Sequence, residues 1–289
     1  MQSNMLLSVV MPIALGIIML GLGLSLKIDD FKRVVVYPKA VVVGLFCQML
    51  LLPTICFFVA RGFGLSPELA VGLMLLSASP GGATANLYSH LSKGDVALNV
   101  TLTAINSVLT LFTLPLIVNL SIAYFMQAGP DGPVVTMQFK KVVEVFAIVL
   151  VPVSVGMFVN AKWSDLSKKL EKPVKIMSAV FLALIIIAAV MKEKEHMVSY
   201  FQQVGIAALV FNLMSMTAGF FIPILLNLGK KQAIAIGMEI GIHNGSLAIF
   251  IALNVIGNGT MTIPAVIYSI IMFITAAIFG WLVNLGKHV

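Results

Sequence analysis

Ser77-Ala78-Ser79-Pro80-Gly81-Gly82-Ala83-Thr84-Ala85-Asn86 interrupts one long apolar run, and Gly237-Met238-Glu239-Ile240-Gly241-Ile242-His243-Asn244-Gly245-Ser246 interrupts another near the end of the chain. Proline removes a backbone donor and clashes with the preceding turn. The two glycines after it permit backbone that other residues avoid. Ser77, Ser79, Thr84 and Asn86 give the first stretch a polar density foreign to a lipid-facing helix. One such segment alone reads as a kink with packing glycines. Two, at matching places in the two halves of a chain, point to paired discontinuous helices at the binding site of a secondary transporter.

The rest of the sequence supplies the setting. Its 289 residues are 60% hydrophobic and 10% charged, against about 45–50% and roughly 25% in soluble domains. The mean hydropathy is +1.07. These values exclude a cytosolic enzyme or a soluble binding module and predict an all-α polytopic membrane protein. A membrane barrel is excluded by pattern, because its strands alternate in short stretches, whereas residues 179–191 are continuously apolar. With about 20 residues per span, charges and turn residues delimit nine: 5–26, 39–60, 67–91, 96–126, 140–160, 174–191, 200–226, 231–255 and 261–285. The longest loops between them are 127–138 and 161–172. No basic residue precedes the first apolar run, so it reads as a span and not as a cleavable signal. Cys47 and Cys56 lie nine apart in one run, roughly 13 Å along a helix and too far for a disulfide.

Of the eighteen Lys and Arg residues, thirteen fall on one side of this layout, among them Lys27, Lys32, Lys93, Lys168, Lys172 and Lys230. Only Arg61, Lys140, Lys141, Lys192 and Lys194 fall on the other. The positive-inside rule makes the first side cytoplasmic, which places a multi-pass protein in the cell membrane with its N-terminus outside and its C-terminus inside. The net charge of +7 is then a topology signal, and nucleic acid is not an expected partner. Spans one to four and six to nine lie in opposite senses and form candidate inverted repeats, each with its break about 70–75 residues from its start.

Glu239 stands apart from the other acids. It lies eight residues into its span, roughly 12 Å from the inner end, where an acid costs at least about 2.5–3.5 kcal/mol. No Lys or Arg sits mid-span to neutralise it. It must bind a cation, hold a proton, or occupy a fully hydrogen-bonded pocket. Glu144, by contrast, sits one turn past Lys140 and Lys141, and pairing with them accounts for it. Gln48, Asn99, Thr103, Asn106 and Ser107 are the other deep polar groups, and Asn99, Thr103 and Asn106 share one helix face. Carboxylate, amide, hydroxyl and backbone carbonyl are the ligands a hard alkali cation takes. No His/Cys cluster has transition-metal spacing.

At these residues the sequence resembles the bile acid:sodium symporter family. Pro80-Gly81-Gly82-Ala83-Thr84-Ala85-Asn86 looks like that family's first crossover, and Lys93-Gly94-Asp95-Val96-Ala97-Leu98-Asn99-Val100-Thr101-Leu102-Thr103 like the segment after it. Glu239-Ile240-Gly241-Ile242-His243-Asn244 looks like the second crossover; the run from Gly16 to Leu24, and Gln48 with Pro53, also match. The resemblance covers nearly the whole chain and implies a nine-helix member lacking the family's first helix. It implies a panel domain at about 5–26, 140–160 and 174–191 and a core domain at about 39–126 and 200–285, with two crossing discontinuous helices in the core. Carried over residue by residue, a first sodium site falls on Ala85, Asn86, Asn99, Thr103 and Glu239. A second falls on Gln48, Glu239, Ile240, Ile242 and His243. Ala85 stands where serine is frequent, and Asn99 replaces a serine with another oxygen donor. His243 replaces a glutamine, and imidazole nitrogen is a poor ligand for sodium. That second site is therefore altered, lost, or replaced by a protonatable group.

The expected activity is sodium-coupled symport of an organic anion, bile-acid-like or a small carboxylate, by alternating access. The anion is expected against Gly82, Ala83, Thr84 and Asn244, where half-helix N-termini favour negative charge. The alternative is proton coupling through Glu239 and His243. An intramembrane hydrolase using Ser246 and His243 lacks a nucleophile elbow and an orienting third group. A channel lacks a recognisable filter.

Overall fold

The computed structural model describes residues 9–126, 139–192 and 195–285. The start of the first span, the loop 127–138, Lys194 and Lys287 lie outside the described residues. Among those described, the chain is helical apart from its turns and one isolated antiparallel bridge between Gly81 and His243. In order the helices are α1 Met11–Ser25, α2 Ile28–Val36, α3 Pro38–Phe46, α4 Leu52–Gly62, α5 Pro67–Ala78 and α6 Ala83–Leu91. They continue as α7 Val96–Phe125, α8 Phe139–Lys162, α9 Ser164–Lys192, α10 Met197–Leu225, α11 Lys230–Gly241, α12 Gly245–Phe250 and α13 Ile263–Leu282. A π-helical turn, Cys47–Leu51, joins α3 to α4, and another, Ile251–Ile256, extends α12.

Among the described residues, five helical stretches are long and apolar enough to cross a membrane, Pro38–Gly62, Val96–Phe125, Val143–Lys162, Met197–Leu225 and Thr260–Leu282, and the bent pair Met11–Ser25 and Ile28–Val36 makes a sixth if taken as one span. The segments Pro67–Ala78 and Gly245–Ile256 are apolar but shorter. Phe112, Leu116 and Leu120 form one stripe down α7 and are 68%, 60% and 63% exposed. A water-soluble monomer rarely exposes such a run of large apolar side chains, whereas lipid accommodates it.

Two predicted loops are helical. The Lys-rich stretch 161–172 is not a loop: α8 reaches Lys162 and α9 starts at Ser164, so only Trp163 intervenes. Trp163 closes one helix and opens the next: its N–H donates to Val159 O at 2.8 Å, and its carbonyl accepts from the Ser167 N–H at 2.9 Å. Lysine and glutamate are good helix formers, so residues 164–172 belong to the start of α9 and not to a loop. Residues 28–36 likewise form α2, bent 71° from α1. Asp29 and Asp30 stand in its first turn, and Asp30 accepts from the Lys27 N–H at 2.7 Å, an arrangement that complements the helix dipole.

α1 packs against α8 and α9, and α8 against α9. The contact is close because glycines line it: a Cβ at Gly23 would strike the Val153 carbonyl, and one at Gly156 would lie 2.7 Å from backbone atoms of α1. Asn160 and Ser167 then donate to the free carbonyls of Leu26 and Leu24 at 2.9 Å each, closing the end of α1. Elsewhere α5 packs on α7, and α10 on α11 and α13. Gly156→Ala should cost about 1–3 kcal/mol through overpacking. Gly62→Ala, where a Cβ meets nothing within 4 Å, should leave stability unchanged. Thermal unfolding of the two detergent-solubilised variants checks this; equal midpoints would remove the close approach as a source of stability.

Candidate functional site

Both breaks lie where the sequence places them. Ser79 is extended with ψ 145° and ends α5, and Gly82, also extended, precedes α6. Ile242, at φ −116° and ψ 101°, ends α11. The two unwound segments run antiparallel through the Gly81–His243 bridge, and the Asn244 N–H donates to Pro80 O at 2.9 Å. A side chain at residue 81 is excluded, because its Cβ would lie 2.6 Å from the carboxylate carbon and both carboxylate oxygens of Glu239.

Breaking two helices in an apolar interior frees carbonyls that need donors. Ser79 O accepts from Gln48 Nε2 at 3.0 Å and from His243 Nδ1 at 3.1 Å. A carbonyl oxygen can only accept, so Nδ1 carries the hydrogen; Nε2 is buried and has no partner. Gln48 belongs to the π-helical turn Cys47–Leu51, an irregularity often found at functional sites. Pro53, which has no N–H, follows within the next turn. Gly241 O accepts from Asn212 Nδ2 at 2.9 Å and from the Tyr268 hydroxyl at 3.0 Å. Phe211, Tyr268 and the His243 ring pack together, with the rings of Phe211 and His243 stacked at 6.0 Å. Asn212 and Tyr268 are absent from the sequence-derived site. The readable signal was a polar side chain midway along the spans 200–226 and 261–285.

Glu239 is fully buried. Its Oε2 accepts from Thr103 Oγ1 at 2.6 Å and its Oε1 from Asn106 Nδ2 at 3.0 Å. The Gly81 backbone lies directly against the same carboxylate. Asn106 is thus bonded directly to the acid, although the carried-over first set omits it. Asn99 Nδ2 donates to Ala235 O at 2.7 Å, one turn before Glu239. The amide oxygens of Asn86, Asn99 and Asn106 are buried and without partners. A carboxylate has about four acceptor positions, so Glu239 keeps lone pairs beyond those that Thr103 and Asn106 occupy. Unpartnered amide oxygens beside a carboxylate are the donor set that a hard cation requires.

Gly82, Ala83, Thr84 and Asn244 line one cavity of about 400 Å³ together with α1, α9 and Phe273. Among the described residues that line it there is no Lys, Arg, Asp or Glu. The N-terminus of α6 at Gly82 has no side-chain cap. That of α12 does, because Asn244 Oδ1 accepts from the Leu247 N–H at 3.1 Å and from Ser246 Oγ at 2.8 Å. This last bond bears on the hydrolase alternative: the Ser246 hydroxyl donates to Asn244 and not to His243. Lys141 also differs from expectation. Its ammonium donates to Val255 O at 3.1 Å, a carbonyl near the end of the broken helix, and among the described residues it forms no ion pair with Glu144.

The family model described as the sodium bile acid symporter family matches residues 12–200. The chain belongs to that family. It is similar to an uncharacterized sodium-dependent transporter of Bacillus subtilis, at 29% identity over 240 residues, 83% of this chain and 72% of that protein. It is 26% identical to the rabbit (Oryctolagus cuniculus) ileal sodium/bile acid cotransporter over 280 residues, 96% of this chain and 79% of that one. A probable chloroplast sodium/metabolite cotransporter of Arabidopsis thaliana is 25% identical over 89% of this chain, which spans 62% of its length. Family membership makes the protein a membrane-integral transporter and not an enzyme, and at the level of the family the transport depends on sodium.

If Asn212 and Tyr268 hold the broken end of α11, their loss should be unequal. Tyr268→Phe leaves Gly241 O one donor and should cost about 1 kcal/mol, while Asn212→Leu strips donors from two acceptors and should cost about 1–3 kcal/mol. Thermal unfolding in detergent measures both; a neutral Asn212→Leu would show that the carbonyl is satisfied otherwise.

Proposed function

We propose that this transporter is a sodium-coupled symporter of a small organic anion, working by alternating access. The buried Glu239 carboxylate, with the unpartnered oxygens of Asn86, Asn99 and Asn106 nearby, carries this reading. Ala85, Asn86, Asn99, Thr103 and Glu239 then form the sodium site, with Asn106 as an added member. The printed names of the relatives, which include sodium-dependent, sodium/metabolite and sodium/bile acid transporters, support both the ion and an organic anion. Sodium neutralises the acid as it binds, which a Lys or Arg would otherwise have to do.

The anion sits in the 400 Å³ cavity, a size within the usual range of ligand pockets of about 300–1,000 Å³. With no Lys or Arg among the described residues that line it, its charge is met by the uncapped N-terminus of α6, where free N–H groups and the helix dipole favour it. The apolar walls accept a hydrocarbon body, as on a bile-acid-like or short branched carboxylate. In this scheme α1, α8 and α9 are the panel, and α3 to α7 with α10 to α13 the core. The panel rocks against the core about the crossover. The nine spans, the inverted repeats and an outside N-terminus belong to the same reading.

Proteoliposome uptake of radiolabelled carboxylates, first selected by a thermal-shift screen with and without sodium, tests the proposal. Uptake should follow an inward sodium gradient and fall to background in choline. Glu239→Gln should lose the sodium-linked thermal shift and at least tenfold in uptake. Equal uptake in sodium and choline would refute sodium coupling, and uptake driven by a pH gradient without sodium would replace it with proton coupling through Glu239 and His243.

A further inference from the structure

The oxygens around the crossover fall into two unlike groups. On the side of α6 and α7, three buried amide oxygens, those of Asn86, Asn99 and Asn106, have no partner. On the other side, toward Gln48 and His243, two of the freed carbonyls are occupied. Ser79 O receives N–H groups from both Gln48 and His243, and Gly241 O receives Asn212 and Tyr268. A carbonyl oxygen has two lone pairs, so neither keeps one for a metal ion.

His243 aggravates this. Its Nδ1–H points positive charge at Ser79 O, where a cation would need negative charge. Its remaining donor atom, Nε2, is a nitrogen, which a hard alkali cation takes poorly. The ring cannot turn to offer an oxygen, because it has none, and it packs against both Phe211 and Tyr268. Gln48 Oε1 and Asn212 Oδ1 are unpartnered on this side, and of the two only Gln48 belongs to the second set carried over from the family.

Resting on the sodium-coupled reading above, we infer that this transporter binds a single sodium ion per cycle. His243 takes the place of a second one by donating its own N–H to the crossover. The ion that Gln48, Glu239, Ile240, Ile242 and an oxygen-bearing residue 243 would have bound is replaced by a hydrogen bond between the two broken helices. With a monovalent carboxylate as cargo, one sodium per cycle moves no net charge across the membrane, so the cargo gradient reached at equilibrium does not depend on membrane voltage.

Equilibrium binding of ²²Na⁺ to the purified full-length chain in detergent tests the inference without knowledge of the substrate. The wild type should saturate at about one mole of sodium per mole of protein along a simple hyperbola. His243→Gln, which returns an amide oxygen to the position, should bind about two. His243→Phe, which keeps the ring stack and adds no oxygen, should stay at about one. Two sodium ions in the wild type, or one in a monodisperse His243→Gln, would overturn the inference. If His243→Gln does not purify as a single species, His243→Asn supplies the same amide, and the wild-type count still decides. No saturable sodium binding by the folded wild type would instead overturn the sodium-coupled reading itself.

Discussion

Backbone polar groups inside a membrane must find partners within the protein, since lipid offers none and each unsatisfied group costs several kcal/mol. This chain breaks two helices at depth, and most of its architecture near the centre answers that expense. The breaks satisfy each other first, through Gly81, His243 and the bond from Asn244 to Pro80 O. The elbow carbonyls then recruit Gln48 from a π-helical turn, Asn212 from α10 and Tyr268 from α13. The positions of three neighbouring helices follow from the need to bring those donors within reach. Gly81 follows as well, because any side chain there would displace the acid below it.

The same crossing brings opposite charges close without letting them neutralise each other. The acid and its amide oxygens lie on one side of Gly81 and Gly82, and the uncapped N-terminus of α6 opens into the cavity on the other. One nine-residue helix, α6, carries Thr84 on the cavity wall and Asn86 with its unpartnered oxygen. On the proposed reading, a cation drawn to Asn86 and an anion held at Thr84 act on a single short element. That is the physical form a coupling between two sites takes: each ligand favours the arrangement of α6 that the other requires.

Much of this was legible beforehand, for specific reasons. Pro80 and the Gly81–Gly82 pair announce a break by covalent geometry alone, and Glu239 is conspicuous because so few charges surround it. The Lys-rich stretch 161–172 reads as a loop because it is charged, yet all of it except Trp163 is helical. The π-helical turns left no periodic signal. Asn212 and Tyr268 were readable only as polar side chains midway along a span, with nothing to say which carbonyl they serve.

From the residues alone came the membrane class, the places where helices must break, and the one acid that had to be compensated. Those follow from local properties: hydropathy, proline and glycine stereochemistry, and the cost of charge in lipid. The partners of that acid and of the freed carbonyls were decided only in three dimensions. Glu239 meets Asn106 across 133 residues, and His243 meets Ser79 across 164. No local pattern specifies which donor reaches which acceptor over such separations. Packing brings them together, and with His243 it set a hydrogen-bond donor against a carbonyl that could otherwise have faced an ion.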